Sequence, residues 1–104
     1  MLLKEGVKLL GAKPELAIGL MVCDQVYRDH GERLTVTSIT DGKHSKTSRH
    51  YLGLAADLRT NDILADNTDE IYAALKKALP EFFVLLEHVG TANEHIHIQF
   101  NGGL

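Results

Sequence analysis

A single α+β domain spanning residues 1–104, with helices on one face of a small antiparallel sheet, is predicted by three observations. Two segments carry apolar residues at helical spacing. The other apolar runs are short and rich in β-branched residues, and 104 residues make room for one core rather than two. A chain of this length buries roughly 65% of its unfolded surface.

The first helix is expected over residues 14–29. Pro14 suits a first helical position, Leu16, Leu20, Cys23 and Tyr27 draw one apolar stripe, and Gly31 marks the end. A short helical turn is expected before it, at residues 2–10. Leu34 to Ile39 alternates and reads as a strand, whereas the polar stretch from Thr40 to Arg49 reads as a loop. Residues 54–59 form the next strand, with Ala55, Asp57 and Arg59 on one face and Leu54, Ala56 and Leu58 on the other. Asn67 to Glu70 resembles a capping box and opens a helix over residues 68–79, which Pro80 stops. Residues 82–89 and 94–100 form a hairpin about Gly90 to Asn93. On its second strand Ile96, Ile98 and Phe100 face opposite to His95, His97 and Gln99. Tyr27, Tyr72, Phe82 and Phe83 fall on apolar stripes and are expected in the core.

Eleven Lys+Arg against fourteen Asp+Glu give a net charge of −3, which offers no basic footprint, so nucleic acid is not an expected partner. The one cysteine, Cys23, excludes an internal disulfide and a four-cysteine zinc site, and its apolar surroundings read as core packing. No apolar run approaches the roughly 18 residues of a membrane span. Charged residues interrupt the amino terminus where a signal peptide needs its apolar stretch, so synthesis in the cytoplasm without a signal peptide is expected.

Six histidines stand singly along the chain. His30 and His88 read as ordinary surface or satisfied core residues. His95 and His97 share one face of a strand whose other face is apolar, a rigid platform on which two imidazoles can converge on one point. A catalytic zinc needs three protein ligands and one open position, and with the sole cysteine in the core the natural set is two histidines and a carboxylate. His50 precedes Asp57 by seven residues, and a tight turn at Gly53 allows both to face one site, where His97 completes the triad.

The stretch Ser48-Arg-His50-Tyr-Leu-Gly53-Leu-Ala55-Ala-Asp57 resembles the Ser-x-His-x-x-Gly-x-Ala-x-Asp motif of the zinc D-alanyl-D-alanine peptidases and their phage endolysin relatives. Glu94-His-Ile-His97 is similar to that family's acidic residue three positions before its last zinc-ligand histidine. The likeness runs from residue 14 to residue 100 and implies a Hedgehog/DD-peptidase-like fold with the zinc site on the sheet face opposite the helices. It implies His50, Asp57 and His97 as ligands of Zn2+, Glu94 as general base and His95 as a helper near the reacting carbonyl. Simple alternation puts Glu94 on the Ile96 face, so the base role requires it to stand in the turn, and Glu87 is the alternative. Ser48 is expected to bond the ligand loop or the substrate. The family's substrate-binding arginine is missing after the first strand. Lys43, His44 or Arg59 can supply the positive group, and His44 is favoured because it shares a loop with His50.

The function implied is a zinc metallopeptidase that cuts an amide in the peptidoglycan stem peptide, as a phage endolysin-type L-alanyl-D-glutamate endopeptidase. It would be a monomer that reaches the cell wall after release or as a virion component. The alternatives are a D-alanyl-D-alanine carboxypeptidase and a non-catalytic zinc-binding module of the same fold.

Overall fold

In the computed structural model, which describes residues 1–39 and 52–102, the chain forms β1 (Leu2–Leu3), α1 (Pro14–Asp29), β2 (Thr35–Ser38), β3 (Ala55–Arg59), α2 (Ala65–Ala78), β4 (Phe82–Glu87) and β5 (His95–Phe100). The strands make one sheet in the order β1-β2-β3-β5-β4. All neighbours are antiparallel except β1, which runs parallel to β2, so the sheet is mixed rather than purely antiparallel.

That difference arises at residues 2–10, where the expected helical turn does not form. The open edge of β2 offers backbone partners that a short isolated helix lacks. Leu2 N–H donates to Leu34 O at 2.8 Å and Lys4 N–H to Val36 O at 2.9 Å. Gly6 then turns the chain with a φ of 89°, a conformation outside the right-handed helical range.

Helix α1 matches its expected span, and Leu16, Leu20, Cys23 and Tyr27 are all buried. It ends in a Schellman motif: Gly31 takes a left-handed φ of 74°, Gly31 N–H donates to Arg28 O and Glu32 N–H to Tyr27 O. Burial pushes the Cys23 thiol up to about 12, so at neutral pH it stays a packed, unreactive thiol.

Helix α2 begins three residues before its expected start, and the Asn67 to Glu70 capping box does not form. The acceptor comes instead from the end of α1. Glu32 Oε2 accepts from Leu64 N–H at 3.0 Å and from Asn67 Nδ2 at 2.7 Å. Because the cap is tertiary, local sequence carries no sign of it.

Both helices contribute to one core on one side of the sheet. Leu16, Leu20, Tyr27, Ile71 and Leu75 cluster with Val36, Ala56, Leu58, Ile96 and Ile98. The opposite parity of β3 and β5 faces away. Phe83 departs from expectation, being 45% exposed, because on β4 it shares the outward face with Leu85 and Glu87. Gly53 sets the entry into β3. Its φ is 71°, a Cβ there would collide with the Gly11 carbonyl, and its own carbonyl accepts from Lys13 N–H at 2.9 Å.

Glu32 ties two helices together, and its two hydrogen bonds, from Asn67 and then Leu64, hold its carboxyl below the usual range. A carboxylate with a depressed folded pKa stabilises the fold above its unfolded value of about 4.3 and loses that contribution as pH falls through the folded value. Glu32→Gln is therefore expected to melt lower than the parent at pH 7. The gap should close on acidification below pH of about 4, as read by thermal unfolding across pH.

Candidate metal centre

The site is made by strand register. Asp57 on β3 lies directly opposite His97 on β5, and Arg59 lies opposite His95. On the other side of β5, Glu87 of β4 lies opposite His95 and Leu85 opposite His97. Period-two geometry then puts Asp57, Glu87, His95 and His97 on the outward face, while Ile96 and Ile98 are fully buried beneath them. The four side chains range from 15% exposed at His97 to 36% at Glu87.

His97 Nδ1 is 3.0 Å from Asp57 Oδ1, and its Nε2 is 3.1 Å from Gln99 Oε1. Burial draws the imidazole's pKa down, but the bonds to Asp57 and Gln99 and the negative charges of Asp57 and Glu87 outweigh it, so the pKa stands above the ordinary histidine value. A metal at either nitrogen would have to displace one of these bonds together with any proton it carries.

His95 is held differently. Its Nδ1–H donates to the Asn93 carbonyl at 2.7 Å, and its Nε2 faces Glu87 Oε1 at 3.3 Å and Asp57 Oδ1 at 3.7 Å. Asp57, Glu87 and His95 each offer a donor atom, all within 4.8 Å of one another, and these three could hold a metal ion.

Glu94 stands in the turn before β5 rather than in the ladder, with its N–H donating to Thr91 O. Both carboxylate oxygens are engaged. Thr60 Oγ1 donates to Oε1 at 2.6 Å and Gly90 N–H to Oε2 at 2.9 Å. These bonds, the Gly90 amide first, hold the carboxyl below its ordinary value against a small desolvation effect. Glu94 is not part of the Asp57, Glu87 and His95 group, but it lines the same cleft as His95. That cleft has a volume of about 430 Å³, and its wall includes Lys4, Thr37, Arg59, Asn61 and His88.

Of the residues singled out in the sequence, Asp57, His95 and His97 are brought together, Glu94 lies at the cleft, and His44, Ser48 and His50 lie outside the described residues. Lys43 does as well. Arg59 lies at the cleft, and among the described residues its guanidinium has no ion-pair partner. One participant exceeds expectation: Glu87, expected only as an alternative base, stands in the cluster itself. His88 is exposed, in keeping with a surface residue, and its left-handed φ of 55° brings its ring to 5.6 Å from that of His95. Folding the hairpin on paper with Glu87 opposite His95 is the signal that finds Glu87.

Comparison with known proteins found no matching family model, no matching curated protein and no matching solved structure. No helix among the described residues is long and apolar enough to cross a membrane.

The Thr60 hydroxyl is the test of what holds Glu94. Thr60→Val removes a charge-assisted hydrogen bond from a partly exposed carboxylate and is expected to cost about 1 kcal/mol in denaturant unfolding. It should also raise the Glu94 titration toward about 4.3, followed by carboxyl-carbon NMR. An unchanged titration would show that the Gly90 amide alone sets it.

Proposed function

We propose that this chain is a zinc-dependent peptidase acting on the stem peptide of bacterial peptidoglycan, of the L-alanyl-D-glutamate endopeptidase type. The observation that carries the reading is the register that sets Asp57 opposite His97 at 3.0 Å, with both residues drawn from the motifs that resemble the zinc D-alanyl-D-alanine peptidases and endolysins. A carboxylate and imidazoles on a rigid sheet face suit Zn2+, which Asp57 and His97 would hold together with His50. When bound, such a metal lowers the pKa of a coordinated water and polarises a scissile carbonyl.

The protein's own groups divide the remaining work. Glu94, kept ionised by Thr60 and Gly90, accepts a proton at a carboxylate oxygen on the cleft wall. His95, fixed through Nδ1 by the Asn93 carbonyl, presents Nε2 to the site. Lys4 and Arg59 bring positive charge to the cleft, which matches the carboxylates of a stem peptide. Phe83 and Leu85, both exposed on the same face, give the peptide an apolar surface beside the cluster. Cleavage inside the stem separates cross-links from glycan and so serves lysis, with the enzyme reaching the wall after release or on a virion.

Zinc-loaded protein incubated with purified peptidoglycan is expected to release peptides with a new amino-terminal D-glutamate, identified by mass spectrometry. Chelator should abolish the release, and His97→Ala should lower it more than about 100-fold. Loss of D-alanine alone would replace the endopeptidase reading with a carboxypeptidase, and no product from folded, zinc-loaded protein would overturn the enzyme.

Arg59→Ala is expected to raise KM by about 10-fold or more with a smaller effect on kcat, as fits loss of a charge-assisted bond to bound peptide. Steady-state kinetics on a soluble stem peptide checks this, and an unchanged KM would remove Arg59 from substrate binding.

A further inference from the structure

We infer that Asp57, Glu87 and His95 form a divalent-cation position of their own, adjacent to the one proposed for His50, Asp57 and His97 and sharing Asp57 with it. The inference stands on the geometry of these three side chains and holds whether or not the His97 position is filled.

Distances come first. His95 Nε2 lies 3.3 Å from Glu87 Oε1 and 3.7 Å from Asp57 Oδ1. N–H···O bonds usually run at about 2.7–3.2 Å, so the contact with Glu87 is a long hydrogen bond and the separation from Asp57 is beyond one. They are close to the edge of a tetrahedron around zinc, which is about 3.3–3.4 Å for bonds of about 2.0–2.1 Å.

The orientation of His95 adds an independent observation. A backbone carbonyl can only accept, so the 2.7 Å contact with Asn93 O places a proton on Nδ1. In the neutral ring Nε2 then carries a lone pair aimed at two carboxylates. Three electron-rich atoms converge, an arrangement that a cation resolves. An imidazole anchored through one nitrogen by a carbonyl, with the other nitrogen turned to the metal, is the usual outer-shell support of a ligating histidine.

The donor set chooses the class of ion. One imidazole nitrogen and two carboxylate oxygens suit Zn2+ or Mn2+, and two carboxylates neutralise a divalent charge. All three residues stand on paired strands, so little ordering is left for the ion to impose. With Asp57 common to both positions, two ions would lie side by side, as in hydrolytic sites where metals about 3.5–4 Å apart clamp one reacting centre.

Zinc content per chain tests this. The full chain, dialysed against excess Zn2+ and cleared of loose metal, is expected to hold two zinc ions by elemental analysis, and Glu87→Gln and His97→Ala one each. Circular dichroism verifies that each variant is folded, and Glu87→Asp, which keeps the carboxylate, should recover the second ion at higher zinc concentration. Equal zinc in Glu87→Gln and the parent overturns the inference and marks Glu87 as a hydrogen-bond partner only. A single ion lost with His97→Ala but kept in Glu87→Gln also overturns it and leaves the peptidase reading intact. A single ion with the reverse pattern supports it and removes the ligand set of that reading, and a parent without zinc overturns it.

Discussion

The pairing of β3 with β5 is the constraint on which the rest depends. Five consecutive pairs run from Ala55 with Gln99 to Arg59 with His95. On one face of this ladder Ala56, Leu58, Ile96 and Ile98 are fully buried, and on the other stand Asp57, Arg59, His95 and His97. A slip of one residue would exchange the faces. It would forfeit about 1.5–3 kcal/mol for each large aliphatic side chain exposed and would drive a carboxylate and two imidazoles into the core at several kcal/mol per unpaired ion. Apolar burial on one side of the sheet thus fixes the chemistry on the other, which is why the helices α1 and α2, remote from the histidines, are part of how the site is held.

Four carboxylates show how environment separates scaffolding from chemistry. Glu32 and Glu94 each accept two hydrogen bonds from donors that include a backbone amide, Leu64 for one and Gly90 for the other, and both are held below the usual carboxylate range. Glu32 joins the end of one helix to the start of the next, and Glu94 closes the turn that launches β5. Asp57 and Glu87 instead turn toward imidazole nitrogens. Glu94 belongs partly to both groups, since the bonds that order the turn also leave its charge on the cleft wall. Those same bonds lower its basicity, so a proton-accepting role requires the reacting water to compete with Thr60 or Gly90 for its lone pairs.

What was legible in the sequence follows from how local its cause is. The span of α1 and the two faces of β3 and β5 were legible because repeated burial imprints a period of 3.6 or 2 on adjacent residues. Asp57 meeting His97 was legible because two such strands need only be laid side by side. The start of α2 was not, because its cap is a glutamate some thirty residues away in sequence. β1 was not, because two exposed leucines on an edge carry no pattern, and only the free backbone of β2 calls them into the sheet. Phe83 misled because Phe82 to Leu86 is apolar at both parities, leaving the hairpin register to decide the outward face. Glu87 depends on that same register, and so it entered the site only once its partner across the ladder was known.

The outward cluster is a poor way to stabilise a sheet. Partly exposed ion pairs contribute about 0–1 kcal/mol, and desolvating carboxylates beside imidazoles offsets part of even that. β-branched apolar residues at the same positions would pack against Leu85 and Phe83 with no desolvation cost. The chain instead places two carboxylates and two imidazoles on adjacent strands, directs Nδ1 of His95 to a carbonyl, and leaves a polar cleft of about 430 Å³ alongside. Concentrating titratable groups where they serve folding least, on the most rigid part of the molecule, is the pattern expected of a surface shaped by what it binds. A cation held as proposed would supply the missing energetic term, since an ion that binds only the folded state adds stability in proportion to the logarithm of its concentration over its dissociation constant. Occupation of the face would then restore the stability that it forgoes as bare protein and would couple the integrity of the β3–β5 ladder to the chemistry that it displays.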